Sequence, residues 1–459
     1  MKRFIGDRAF YKRVLTIAIP IIIQNGITNF VSLLDNIMVG RIGTEEMSGV
    51  AIINQLFFVF YLGIFGAISG AGIFTAQYVG QKNTEGVRHT LRFKLLEAVV
   101  LSAAGALIFI FFKDQLISLY LHEQGESIDA ASTLRYGTLY LNVMIFGLLP
   151  FAVTQCYSGT LRECGETLVP MSAGVIAVCV NLFLNYVLIF GNFGAPVLGV
   201  EGAAIATVTS RMVELLIVVL WTHLNREKNP FAVGLYRGFS IPSSLALKIL
   251  IMGTPLFLNE FFWSMGIAAL TQCYSIRGLS VVAAFNISST IINLFKVFVI
   301  SMGNVVAIMI GQILGSGDVS HVVETDNRLI AFSIAVSVVL GVIQFIMAPL
   351  FPEFYNTGEE IKKLAAEFIC IAAFYLPMEA FLNSAYFTIR SGGRTVITFI
   401  FDSVFLWFVS WPAAFILSRY TSCSIEIIYT AVLALDSIKV LIGFIMLKKK
   451  IWIRDLVRE

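Results

Sequence analysis

Charge is what this chain has least of. Only 13% of its 459 residues are Asp, Glu, Lys or Arg, while 58% are hydrophobic and the mean hydropathy is +0.84. A soluble chain carries about a quarter charged residues, and they interrupt its apolar stretches. A water-solvated globule is therefore excluded, and lipid must be the main solvent. Histidine is scarce as well. His89, His122, His223 and His321 fall near expected loop ends and no two share a helix face, which argues against a histidine metal centre or a histidine-based intramembrane enzyme. The six cysteines (Cys156, Cys164, Cys179, Cys273, Cys370, Cys423) have no metal-type spacing and read as small core residues. A net charge of +3 is too small to imply nucleic acid, and nothing calls for an organic cofactor. The basic opening MKRFIGDRAFYKRVLTIAIP is followed by no small-residue cleavage site, so the first apolar run is expected to be retained.

Long apolar runs are abundant. They predict helical spans near 15–39, 48–78, 91–112, 134–160, 168–191, 200–224, 246–272, 281–312, 327–350, 365–390, 395–418 and 424–447. Each can cross a hydrocarbon core of about 30 Å at about 1.5 Å per residue. Basic residues mark one side: Lys2, Arg3, Arg8, Lys12 and Arg13 before the first span, Lys82, Arg88, Arg92 and Lys94 after the second, Arg226, Lys228 and Arg237 after the sixth, and Lys448 to Lys450 with Arg454 and Arg458 at the end. By the positive-inside rule both termini are expected in the cytoplasm.

The chain also repeats itself. Pro20 and Gly43 correspond to Pro255 and Gly278 at a separation of 235. Gly72 and Gly80-Gln81 correspond to Gly303 and Gly311-Gln312 at 231, and Arg162, Gly165 and Thr167 to Arg390, Gly393 and Thr395 at 228. The break falls at NREKNPFAVGLYRGFSIPS. The expected organisation is an all-α polytopic membrane protein: a six-helix bundle over 1–224, a cytoplasmic linker over 225–245 and a second six-helix bundle over 246–459. Because each half starts and ends on the same side, the bundles are expected to be related by a pseudo-two-fold axis along the membrane normal, with a cavity between them as in secondary transporters.

Polar groups inside spans face protein or water, since a charge at mid-bilayer costs at least about 2.5–3.5 kcal/mol. In QNGITNFVSLLDNIMVG, Asn25, Thr28, Asn29, Ser32 and Asp35 recur on one helix face, and Asn36 adds another polar group. Asn181 and Asn185 on span five and Thr207 on span six come to a similar depth. A carboxylate, two amides and a hydroxyl supply hard oxygen ligands for a small cation such as Na+, with Asp35 and Asn181 as candidate ligands, or hold a protonatable acid. In the second half Glu260 and Glu379 come near the midplane, with Phe257, Phe261, Trp263, Phe374, Tyr375 and Phe381 around them, a setting for a lipophilic cation. The plainer reading pairs either acid with a base such as Lys296, which is a candidate counter-charge for Glu260. Arg211 with Glu214 and Asp436 with Lys439 are three apart and expected to neutralise locally, whereas Asp402 has no local partner. Pro20 and Pro255 interrupt their helices at matching places and are candidate hinges.

LLDNIMVGRIG, FTAQYVGQKN, NLFLNYVLIFGNFGAPVLGVEGAAIAT, LNEFFWSMG and IRSGGRT, set in twelve repeated spans, resemble the multidrug and toxic compound extrusion (MATE) family. The resemblance implies export of amphipathic, mostly cationic compounds in exchange for Na+ or H+, by a monomer in the inner cell membrane. It implies that Asp35 is the coupling carboxylate, with Asn181 and Thr207 beside it, that Glu260 and Glu379 match membrane acids of the NorM-like branch, and that the first helix bends about Pro20. Where some members carry a second aspartate on span five this chain has Asn185, which leaves one carboxylate there. A lipid-linked oligosaccharide flippase of the same superfamily shape is the alternative, and it would need bases in its cavity to hold a pyrophosphate.

Overall fold

The computed structural model describes residues 4–121, 129–238 and 240–458. His122, Lys2 and Arg3 lie outside the described residues, and so do the side chains of Asn29, Ser32 and Asn36. Among the described residues there is no strand. Twelve long helical segments follow one another: α1 (Arg8–Gly40), α2 (Thr44–Gly80), α3 (Thr84–Phe111), α4 (Ala130–Glu163), α5 (Leu168–Phe190), α6 (Gly199–Leu224), α7 (Ser243–Ser275), α8 (Leu279–Ser316), α9 (Val319–Met347), α10 (Glu359–Ser391), α11 (Thr395–Tyr420) and α12 (Ile425–Lys448). Among the described residues α2 to α12 are all long and apolar enough to cross a bilayer. The 33 residues of α1 reach about 50 Å, enough to do the same.

The spans expected from hydropathy are all present, but several helices start earlier. Thus α9 begins at Val319 rather than 327, because the Asp318 side chain accepts the His321 N–H and lets the polar turn SHVVETDNR join the helix. Asn83 caps α3 in the same way through the Gly86 N–H. These two caps open the equivalent helices of the two halves, and the turns after α4 and α10 also match. The Gly165 N–H bonds to Arg162 O at 2.9 Å and the Glu166 N–H to Leu161 O at 2.8 Å. The Gly393 N–H bonds to Arg390 O at 2.8 Å and the Arg394 N–H to Ile389 O at 3.4 Å. Both turns are Schellman caps, and both place a glycine at positive φ, +94° at Gly165 and +74° at Gly393.

Residues gather into two compact units: Met1–Ile22, Ala76–Lys82 and Leu250–Glu459 form one, Ile23–Thr75 and Asn83–Ile249 the other. These units divide α1 within its length, whereas the grouping around the 225–245 linker counts whole helices. The burial pattern explains the division. Val14, Ile17, Ala18 and Ile21 of α1 join a core with Met302, Val306, Leu382 and Trp452, while Val39 joins another with Val50, Ile53, Leu141 and Ala203. Pro20 and Pro255 both lie inside unbroken helices. On α3, by contrast, Leu96, Val100, Leu107 and Phe111 are exposed, a face suited to acyl chains rather than water.

Within the first unit the end of α2 meets α8 backbone to backbone. A β-carbon on Gly80 would run into the Gln312 carbonyl, and one on Gly315 into the Gln77 carbonyl. Such close approach by small residues is how helices gain contact where lipid removes the hydrophobic drive. Gly80→Ala should therefore destabilise by about 2 kcal/mol through overpacking. Gly159→Ala, whose new carbon meets nothing within 4 Å beyond its own stretch of helix, should be neutral or stabilise by up to about 1 kcal/mol from helix propensity. Melting temperatures of the detergent-solubilised variants check both.

Candidate functional site

Asp35 is on α1, Asn181 and Asn185 one turn apart on α5, and Thr207 on α6; all four belong to the second unit. The structure brings them together. Asn185 Nδ2 donates to Asp35 Oδ1 at 2.6 Å and to Asn181 Oδ1 at 3.2 Å, and Asn181 Nδ2 donates to Thr207 Oγ1 at 3.3 Å. In this orientation the Asn181 oxygen faces the carboxylate, which suits a protonated Asp35. With its amide turned, Asn181 donates to Asp35 Oδ1 at 2.9 Å and Oδ2 at 3.3 Å and accepts from Thr207, which suits an ionised one. Both asparagines are buried, and among the described residues Asn185 Oδ1 has no hydrogen-bond partner.

The rest of the opening stripe behaves differently. Thr28 Oγ1 donates to the Gln24 carbonyl of its own helix, and Gln24 Nε2 reaches the Pro170 carbonyl of α5. One turn beyond Thr207, Arg211 pairs with Glu214 at 3.1 Å, as expected from their spacing. Its charge also attracts Asp35, yet among the described residues Asp35 has no ion-pair partner.

In the first unit the acids separate. Lys296 Nζ lies 2.9 Å from Glu379 Oε1, so its expected service to Glu260 is corrected. Glu260 instead has the charges of Arg390 and Asp402 as neighbours. The reason is helix pairing: α8 carries Lys296 against α10, whereas α7 lies along α11, with Trp407 Nε1 donating to Phe262 O at 2.8 Å and Ser403 Oγ to Asn259 O at 2.9 Å. The aromatic surround also differs from the expected one. Phe374 is exposed, and Trp263 packs into an apolar core with Leu270 and Tyr274.

Asp402, without a local partner in the sequence, finds two across helices: Asn259 Nδ2 donates to its Oδ2 at 3.2 Å and Lys439 Nζ lies 3.6 Å from its Oδ1. Lys439 is shared with Asp436, also at 3.6 Å. Asp402 sits in a π-helical turn, Ile400–Val404, of a kind that recurs at functional sites.

Sequence reasoning missed one cluster altogether. Lys94, read as a side-marking charge near the start of the 91–112 span, lies well inside α3 and is fully buried, with Nζ 2.5 Å from Glu163 Oε2 and 3.2 Å from Thr160 Oγ1. Arg92 is likewise buried, donating to the Leu235 and Gly234 carbonyls at 2.8 Å. The Asn83 cap, which starts the helix ten residues before Lys94, was the available signal.

The MatE family model matches residues 20–187 and 255–416, two segments that open on the paired prolines. A probable multidrug resistance protein NorM of Thermotoga maritima is 27% identical over 417 residues, covering 89% of this chain and 86% of that protein. A protein of the same description from Bacillus cereus is 25% identical over 413 residues, covering 89% of each. A solved structure described as the outward-facing conformation of a multidrug resistance MATE family transporter of the MOP superfamily superposes with a TM-score of 0.84, over 98% of this chain and 97% of that one. Its 20% identity makes this a likeness of fold.

Breaking the Lys94–Glu163 pair should be costly, since it strands a buried charge. Lys94→Met or Glu163→Leu alone should destabilise by about 3–5 kcal/mol, whereas the Lys94→Met, Glu163→Leu double variant should recover most of that. Thermal unfolding of the three purified variants measures the difference.

Proposed function

Since this chain belongs to the multidrug and toxic compound extrusion (MATE) family, we propose that it is a secondary antiporter that exports amphipathic, mostly cationic compounds in exchange for Na+ or H+. It works as a monomer in the inner cell membrane with both termini cytoplasmic and carries out no catalysis. The observation that supports this best is the setting of Asp35. A carboxylate within a membrane helix is met by the Asn185 amide at 2.6 Å and by no base among the described residues, so its charge is left for a mobile cation.

Asp35, Asn181, Asn185 and Thr207 form the coupling site. A sodium ion entering it finds Asp35 and the Asn181 oxygen as hard ligands, with Thr207 Oγ1 beside them and Asn185 Oδ1, which has no partner among the described residues. A proton entering instead lets the Asn181 oxygen accept from Asp35. Either ligand neutralises the carboxylate. Coupling then needs only that ion and drug prefer different conformations, by a free-energy difference of about 1–3 kcal/mol. Glu260 and Glu379 with Lys296 serve the substrate or a second ion, and Pro20 and Pro255 are hinges where a missing backbone N–H weakens each helix. The flippase alternative needs exposed bases for a pyrophosphate. Here Lys296, Arg211, Lys94 and Lys439 are each engaged by an acid.

Asp35→Asn should leave folding and membrane insertion intact and abolish efflux of a fluorescent cation from vesicles in which sodium and pH gradients are imposed separately. Undiminished gradient-driven efflux rejects Asp35 as the coupling group. Glu260→Gln should lower transport of cations about tenfold more than that of neutral compounds, measured as paired initial rates, and equal losses speak against a charge role.

A further inference from the structure

Asp402 on α11 and Asp436 on α12 share a single ammonium. Lys439 Nζ stands 3.6 Å from an oxygen of each, beyond the roughly 2.7–3.2 Å of a direct N–H···O bond. It lies 5.6 Å from the ring centres of both Phe401 and Phe405, inside the reach of a cation–π contact. The π-helical turn Ile400–Val404 holds Asp402 and Phe401, and Phe405 follows it directly. The carboxylate is braced from behind. Asn259 Nδ2 occupies Oδ2 at 3.2 Å, and Asn259 Oδ1 is itself held by Ser403 Oγ at 2.7 Å, which leaves Asp402 Oδ1 for the ammonium.

Two carboxylate oxygens and two ring faces around one nitrogen make a recognition site for an organic ammonium, and its present occupant is tethered to the chain. Lys439 has full contact with neither acid, so displacing it breaks no short hydrogen bond to either. Both aspartate side chains keep 24% of their surface exposed, so a ligand can meet them without unfolding of the helices.

We propose that Lys439 is a built-in stand-in for an organic ammonium ligand, and that an incoming amine drives it toward Asp436 and takes its place at Asp402 between Phe401 and Phe405. The proposal rests on the antiporter reading and adds to it a site and a ligand chemistry. It makes Lys439 a competitor of the substrate rather than a structural counter-ion.

The test uses the full-length protein in detergent with ethidium as the probe, read by fluorescence anisotropy, and chloramphenicol as the uncharged comparator, read by calorimetry. The Asp436→Asn, Lys439→Met double variant removes the competitor while leaving the net charge of the cluster unchanged. Its ethidium affinity should rise about tenfold, with chloramphenicol binding unchanged. Asp402→Asn should lose about tenfold in ethidium affinity, again without effect on the neutral compound. Unchanged or weaker ethidium binding by the double variant overturns the proposal, as does an equal gain for chloramphenicol. Should the double variant fail to reach the membrane, Asp402→Asn decides: the loss supports the proposal and wild-type affinity overturns it. Wild-type protein that binds no ethidium overturns both readings. Gradient-driven efflux that survives Asp35→Asn overturns only the assignment of the coupling site.

Discussion

In hydrocarbon a polar atom has no water to pair with, so each one must find its partner within the protein or remain open to an arriving ligand. The arrangement of side chains here follows from that constraint. Thr28 bonds its own helix, Arg92 bonds carbonyls before α7, and Lys94, Lys296 and Lys439 each meet an acid on another helix. Asp35 is the contrasting case, solvated by neutral amides that stabilise a carboxylate without cancelling its charge. A permanent counter-ion would make the site inert. An isolated carboxylate would be too costly to keep in the membrane, and amide donors give a state between the two.

Two halves with one backbone plan carry different chemistry. Their caps at Asn83 and Asp318 and their glycine turns at Gly165 and Gly393 are equivalent. The second unit sets Asp35 among amides beside the pairs Lys94–Glu163 and Arg211–Glu214, while the first unit pairs Glu379 with Lys296 and Asp402 with Lys439 and Asp436. Backbone turns are constrained by sterics that act alike in both copies, which keeps them matched. A side chain in a span need only suit its own neighbours, and that lets the two halves carry different polar groups on matching helices.

The helices were legible because a run of apolar residues long enough to cross a bilayer has few alternatives to a helix. Errors fell at their ends, where polar residues look like loop until a cap such as Asp318 recruits them. Lys94, expected near the start of the 91–112 span, lies deeper in its helix for that reason. The local pairs Arg211–Glu214 and Asp436–Lys439 were also legible, since three residues along a helix is a fixed distance in space. Which acid Lys296 meets and which groups meet Asp402 were not, because they lie on other helices and depend on which helices touch and at what rotation. Nor was the π turn at Ile400–Val404, which turns Phe401 and Phe405 rather than Phe374 toward a cation.

By itself, then, the sequence determined the solvent, the twelve spans, the repeat and several of the membrane-buried polar groups, because each depends on composition or on spacing along one chain. Which acid holds which base, which amide reaches Asp35 and where an ammonium sits among rings were decided only by tertiary structure. Electrostatic and hydrogen-bond partners are chosen by distances of a few ångströms between helices, and one-dimensional order does not encode those distances directly.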